Sequence, residues 1–200
     1  MNEELTSITP EVLKVAREII NLFVQLPETD VRLLASILEK GTAKKGEVFI
    51  KDGQISDGIY YITQGLTRQF YYKNGHDVTE HFCCEGQLLY CIESLYLQEP
   101  THLMAEALEP LTYYKIPYKQ MNALLRKSLG LCQWRIRLLE IDGVISQQKA
   151  DSLRFETASE RYERFLKEYP EAAKRAPNQH IASYLVMTRE SLSRVRAGTL

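Results

Sequence analysis

The sequence predicts an α+β chain: helices, then a block of short strands, then one long helix and a C-terminal helix-turn-helix. Three observations carry this. From Thr42 to Pro117 short β-prone runs alternate with turn residues, the pattern of a sandwich, barrel or jelly roll. From Leu131 to about Thr157 no proline interrupts a helical pattern whose apolar positions recur in steps of four and three. From Pro177 to Arg196 two short helical patterns meet at a tight turn.

The first helix begins at Pro10, where a missing N–H costs nothing, with Thr9 placed to cap it. Val12, Val15, Ala16, Ile19, Ile20 and Phe23 follow at helical spacing, and Pro27 ends the run. Ile19, Ile20 and Phe23 are expected to pack on the strand block or the long helix. A second helix is expected from about Thr29 to Lys40, closed by Gly41. Predicted strands are Glu47–Ile50, Ile59–Thr63, Leu66–Tyr72, Asp77–Phe82, Leu103–Leu108 and Leu111–Ile116. Asn74-Gly75 between two β-prone runs is a strong hairpin signal, because both residues tolerate positive φ. A short helix fits Cys91–Gln98, and another Tyr118–Ser128.

In the long helix, Trp134, Leu138, Ile141, Ile145, Gln148, Ser152 and Phe155 form a heptad seam suited to a two-stranded coiled coil. The alternative is a helix packed along this seam against its own domain. At the C-terminus Ile181, Ala182 and Leu185 give the first helix an apolar face, and Val186-Met187 makes the turn. Thr188 caps the second helix, which Leu192 and Val195 point inward. Arg189, Glu190, Ser193 and Arg194 remain outside, flanked by Ser191 and Arg196. Arginine matches guanine O6/N7 and glutamate matches cytosine N4, so this set suits base readout in a major groove. An ordinary helical hairpin with a solvated face is the other reading.

Net charge is −1 over 200 residues, but it is unevenly spread. From Lys174 onward five basic residues face the single acid Glu190, a net +4, so the remainder carries −5. A basic end on a near-neutral chain fits local phosphate contact. The polar stretch Met1–Ile8 does not read as a secretory signal, and no apolar run approaches the ~20 residues that span a bilayer. Cys83, Cys84, Cys91 and Cys132 lack paired CxxC spacing, so no disulfide framework or metal site is expected, only reduced thiols in a cytoplasmic protein. An enzyme on such a strand block would need clustered metal ligands. His76 and His81, five apart, fall on opposite strand faces, and no nucleophile motif is present.

The chain resembles the cyclic-AMP receptor/fumarate-nitrate regulator (Crp/Fnr) family of bacterial transcription factors over about Pro27–Arg196. The resemblance rests on Lys45-Gly46-Glu47 with Lys51-Asp52-Gly53, on Gly58-Ile59-Tyr60-Tyr61-Ile62-Thr63-Gln64-Gly65, and on Thr188-Arg189-Glu190-Ser191-Leu192-Ser193-Arg194. The segment Glu160-Arg161-Tyr162-Glu163-Arg164-Phe165-Leu166 is similar to members from the Bacteroides group. The resemblance implies a double-stranded β-helix (a jelly-roll, cyclic-nucleotide-binding-like sensor) with the N-terminal helices over 1–127, a dimerisation helix over 128–157, and a helix-turn-helix DNA-binding domain over 158–200. It also implies a homodimer reading a two-fold symmetric site on double-stranded DNA with Thr188–Arg196, with RNA polymerase as a further partner. Base contacts fall to Arg189, Glu190 and Arg194.

Departures narrow the effector. Relatives that bind cyclic nucleotide use Gly-Glu-Leu, then Arg-Ser/Thr-Ala about ten residues on. Here those positions correspond to about Tyr90-Cys91-Ile92, with Glu93 two places late, and Thr101-His102-Leu103. No arginine lies between Arg68 and Arg126, so the cyclic phosphate lacks its cation and cAMP is not the expected effector. An unidentified small molecule, or side chains such as Tyr96 and Met104, would fill the pocket around Tyr90, Cys91, Glu93, Thr101 and His102. Relatives often place glycine at the turn position of Val186, which a β-branched residue fits poorly. With no room for a wing after Gly198-Thr199-Leu200, phosphate contacts are expected from Lys174, Arg175, Asn178, Gln179 and Arg196. Ser183 is a helper, and Tyr184 a helper or a packing residue. A ligand-binding or scaffold dimer whose tail contacts protein is the competing function.

Overall fold

The structure, a computed structural model, describes residues 8–199; residues 1–7, which hold most of the polar stretch Met1–Ile8, and residue 200 lie outside the described residues. Helix α1 (Pro10–Asn21) is capped by Thr9, whose hydroxyl accepts the Val12 N–H at 3.3 Å. Helix α2 (Glu28–Ala35) ends five residues before the predicted limit. Glu39–Ala43 is strand β1, so Gly41 closes no helix but lies inside a strand. A Cβ there would meet the Tyr113 ring at 2.5 Å, so the missing side chain lets that ring lie across β1.

The strands β2 (Val48–Ile50), β3 (Gly58–Gln64), β4 (Thr67–Lys73), β5 (His76–Cys83), β6 (Leu88–Leu89), β7 (Met104–Ala107) and β8 (Leu111–Pro117) complete two antiparallel sheets. Their orders are β1-β8-β3-β6 and β2-β7-β4-β5. Asn74 and Gly75 both take positive φ at the β4–β5 turn, as the hairpin signal requires. The two-residue β6 was not foreseen. Helix α3 (Ile92–Leu97) lies between the sheets' strands in sequence. Ile50, Ile62, Leu89, Ala105 and Leu111 fill the space between the sheets.

Helix α4 (Tyr118–Leu125) leads into α5 (Leu129–Phe155), which Ser128 caps. A second core joins α1, α2, α4 and α5 to Ile59, Tyr61, Tyr114 and Ile116 of the first sheet. Ile19 and Ile20 are buried there; the Trp134 indole N–H donates to the Ile19 carbonyl at 2.9 Å, and Phe23 packs 5.8 Å from that ring. Part of the expected coiled-coil seam is spent inside the chain. Trp134 and Leu138 are buried in their own chain, and Ser152 is buried beside Glu156 and Arg164. Ile141 and Ile145 border a cavity. Only Gln148 and Phe155 of that set stand free of these contacts on the surface. A different row is outward: Leu129, Ile136, Leu139, Gly143, Ser146 and Leu153 are exposed, with Cys132 and Ala150 partly so. These positions also alternate in steps of three and four.

Four helices close the chain: α6 (Ala158–Glu168), α7 (Pro170–Arg175), α8 (Asn178–Tyr184) and α9 (Arg189–Arg196). Thr157 and Glu160 form a reciprocal capping box on α6. These helices share a third core with the strand block: Leu66, Phe82 and Leu108 pack with Phe165, Ala172, Ile181, Leu185 and Leu192. Phe82, Phe165, Tyr169 and Tyr184 form an aromatic cluster with centroids 5.3–6.2 Å apart.

Candidate nucleic-acid interface and effector cavity

Helices α8 and α9 are joined by Leu185–Thr188. Ile181, Ala182, Leu185 and Leu192 are each at most 2% exposed and hold the pair together. Thr188 caps α9 by accepting the Ser191 N–H at 3.1 Å. Val186 sits at φ 53°, so the turn does demand the left-handed conformation that a glycine would take more easily. Thr188, Arg189, Glu190, Ser193, Arg194 and Arg196 are exposed, while Ser191 is half-buried against Thr188. The Glu190 carboxyl is held below the usual range by its own backbone N–H at the helix start and by Thr188.

The flanking candidates divide. Asn178 and Gln179 are exposed at the start of α8. The Arg196 guanidinium donates to Asn178 Oδ1 at 2.7 Å and to the Tyr162 hydroxyl at 3.1 Å, which ties the two ends of the pair together. Lys174 is exposed beside Glu171 at 2.9 Å. Arg175 is a correction: it pairs with Glu85 at 3.1 Å and Glu109 at 3.3 Å, pointing to the strand block rather than away from it. Ser183 is a second one. Its hydroxyl accepts the Thr79 N–H at 2.9 Å and donates to the Asp77 carbonyl at 3.0 Å, so it seats α8 on β5. Tyr184 packs in the aromatic cluster.

The predicted effector residues do not line one common cavity. Glu93 is exposed, and the His102 side chain is 90% exposed beside Asp52. Thr101 and Cys91 are buried, but both bond to the Leu103 carbonyl. Only Tyr90 faces an open space, a cavity of about 360 Å³ between β5, β6, α1 and α5. Gln69, His81, Asp142 and Ser146, which sequence reasoning missed, also line it. Strand alternation could have placed Gln69 and His81 on one face; Asp142 lay off the expected seam. Burial, with Lys149 beside it, pushes His81 down to about 4, and burial pushes Asp142 up. Among the described residues no arginine or lysine lines the cavity. Arg68, the cation nearest in sequence, lies at the α8 side of β4, buried and paired with Asp77 at 2.5 Å and Glu106 at 2.9 Å.

No group of three or more His, Cys, Asp or Glu gathers as a metal site among the described residues, and no helix there is long and apolar enough to cross a membrane.

Residues 41–128 match the family model described as a cyclic nucleotide-binding domain. No curated protein matches the chain in sequence. Among solved structures it is similar to FixK2 from Bradyrhizobium japonicum, at 17% identity and a TM-score of 0.67, covering 81% of this chain and 84% of that one. It is also similar to a protein described as a Crp/Fnr-family transcriptional regulator from Eubacterium rectale, at 16% identity and TM-score 0.65, covering 86% and 83%. A third is CLP, the c-di-GMP responsive global regulator of Xanthomonas campestris, at 16% identity and TM-score 0.62, covering 86% and 91%. The chain therefore carries a β-roll of the cyclic nucleotide-binding kind with a long helix after it, an architecture like that of the Crp/Fnr proteins.

Proposed function

We propose that the chain is a DNA-binding transcriptional regulator of the Crp/Fnr type, cytoplasmic, without catalytic activity, and controlled by an effector other than cAMP. In this reading residues 1–127 sense, 128–157 dimerise and 158–200 form a helix-turn-helix domain that reads a two-fold symmetric site. RNA polymerase is the expected further partner. The observation that carries the reading is α9, whose apolar side is buried on α8 while Arg189, Glu190, Ser193 and Arg194 project to solvent beside a capped N-terminus. Such a helix presents two guanine-reading guanidiniums and a carboxylate to a groove. The exposed row Leu129–Leu153 on α5 replaces the predicted seam as the dimer face.

The deciding experiment is selection from fragmented genomic DNA by the purified protein, beside an Arg189→Ala/Arg194→Ala variant. Enrichment of a two-fold symmetric site that the variant loses supports the reading. Equal, salt-sensitive and sequence-independent binding by both proteins overturns it, and favours a dimer whose tail contacts protein.

A further inference from the structure

The cavity between the strand block and α5 has a chemistry of its own. Leu22, Ile92 and Ile145, all at least 40% exposed, border it, an arrangement of large apolar side chains that invites a partner molecule. Its volume of about 360 Å³ is within the range of small-molecule sites. Its polar side chains, among them Gln69, His81, Gln87, Asp142 and Ser146, include no cation of the lysine or arginine kind among the described residues. The Tyr90 hydroxyl is buried close to the Asp142 carboxyl, its polar neighbour on the cavity wall. His81 stays neutral at ordinary pH, since burial holds it at about 4. The neighbouring cation Lys149 is occupied by Glu80 at 2.5 Å and is not part of the wall. An anion entering here would lose its water and meet Asp142 rather than a cation.

We propose that this cavity, which Tyr90 and Ile92 border but Cys91, Glu93, Thr101 and His102 do not, is the effector site, and that it takes an uncharged, mainly apolar molecule with one or two hydrogen-bonding groups instead of a nucleotide anion. The inference rests on the regulator reading for the word effector; the binding itself does not. Tyr169 of the C-terminal helices shares the wall with α1, the strand block and α5, so an occupant touches every unit whose relative position would set the spacing of two α9 helices.

A matched pair of fluorescent probes tests it on the full chain without DNA. N-phenyl-1-naphthylamine is neutral; 8-anilino-1-naphthalenesulfonate has the same ring skeleton with a sulfonate. Saturable binding of the neutral probe at one per chain is expected, at least tenfold tighter than its sulfonate, and unaffected by excess cAMP. Filling the cavity with Ile141→Trp should weaken the neutral probe at least tenfold. Ile92→Trp at the exposed rim gives the same readout should the first variant lose its fold. Equal binding of both probes, displacement by cAMP, or neutral-probe binding that survives both fillings overturns the proposal. Because no step involves DNA, a failed DNA selection leaves this result standing, and the reverse holds too.

Discussion

Val186 holds a conformation its side chain opposes. A left-handed β-branched residue costs on the order of 1 kcal/mol, and Val186 is exposed, so its side chain returns little by packing. Val186→Gly should raise stability by about 0.5–1 kcal/mol, the relief of strain exceeding the entropy that glycine adds to the unfolded chain. A lower urea midpoint in the variant would show that the strain is absent. His81 sets a pH dependence. Its folded value of about 4 lies below its ordinary 6.5, so on acidification the unfolded chain takes up this proton first. The stability it secures is complete above about pH 6.5 and is lost as pH falls towards 4, by up to about 3 kcal/mol. Burial and Arg68 move His180 in the same direction. Urea midpoints at pH 7.5 and 4.5 should therefore converge in His81→Gln relative to the unaltered chain; identical slopes in the two proteins would remove His81 from the account.

At the scale of the element, α5 has two apolar stripes and the structure assigns them different work. One, through Leu131, Trp134 and Leu138, is consumed by α1 and the first sheet. The other, through Leu129, Ile136, Leu139 and Leu153, is left exposed by the described residues, and Gly143, Ala150 and Ser146, the last also on the cavity wall, give it a narrow middle. A Cβ on Gly143 would meet nothing within 4 Å, so the chain's own packing gives no reason for glycine there. In the proposed dimer that gap permits close approach of two helices. Ile136→Arg with Leu139→Arg should yield monomers by light scattering at concentrations where the unaltered chain is dimeric, with the same far-ultraviolet circular dichroism. Unchanged dimers would move the interface elsewhere. Both stripes repeat in heptad steps, so periodicity alone does not separate them: Trp134 and Leu138 are larger and more apolar than Gly143 and Ser146, and size cannot tell intramolecular from intermolecular burial.

For the whole molecule, the C-terminal helices are seated on the second sheet. Beneath α8 the Arg68 guanidinium, 4% exposed, binds Asp77 at 2.5 and 2.6 Å, Glu106 at 2.9 Å and Thr79 at 3.0 Å. Ser183 bridges to β5 above it, and Arg175 reaches Glu85 and Glu109 at another edge. Removing a buried cation while its carboxylates remain is strongly destabilising. Arg68→Met should cost about 3 kcal/mol in urea unfolding and should expose the α7–α9 segment to proteolysis before the strand block. A loss under about 1 kcal/mol, or cleavage in the strands first, would contradict this seating.

The sequence by itself determined the order of the main elements apart from β1 and β6, the caps at Thr9 and Thr188, the Asn74-Gly75 hairpin and the inward faces of α8 and α9. Each follows from local backbone chemistry or from the period of apolar side chains over a few turns, and those terms act within a dozen residues. It also signalled the missing phosphate cation, because no arginine stands between Arg68 and Arg126. Only the tertiary structure decided which stripe of α5 faces its own core, that Arg175 and Ser183 turn toward the strands, and that Gln69, Tyr90, His81 and Asp142 share one cavity. Those outcomes depend on which distant surfaces meet, and burial free energy is nondirectional: it rewards any apolar contact of equal area, so the pattern along the chain cannot name the partner.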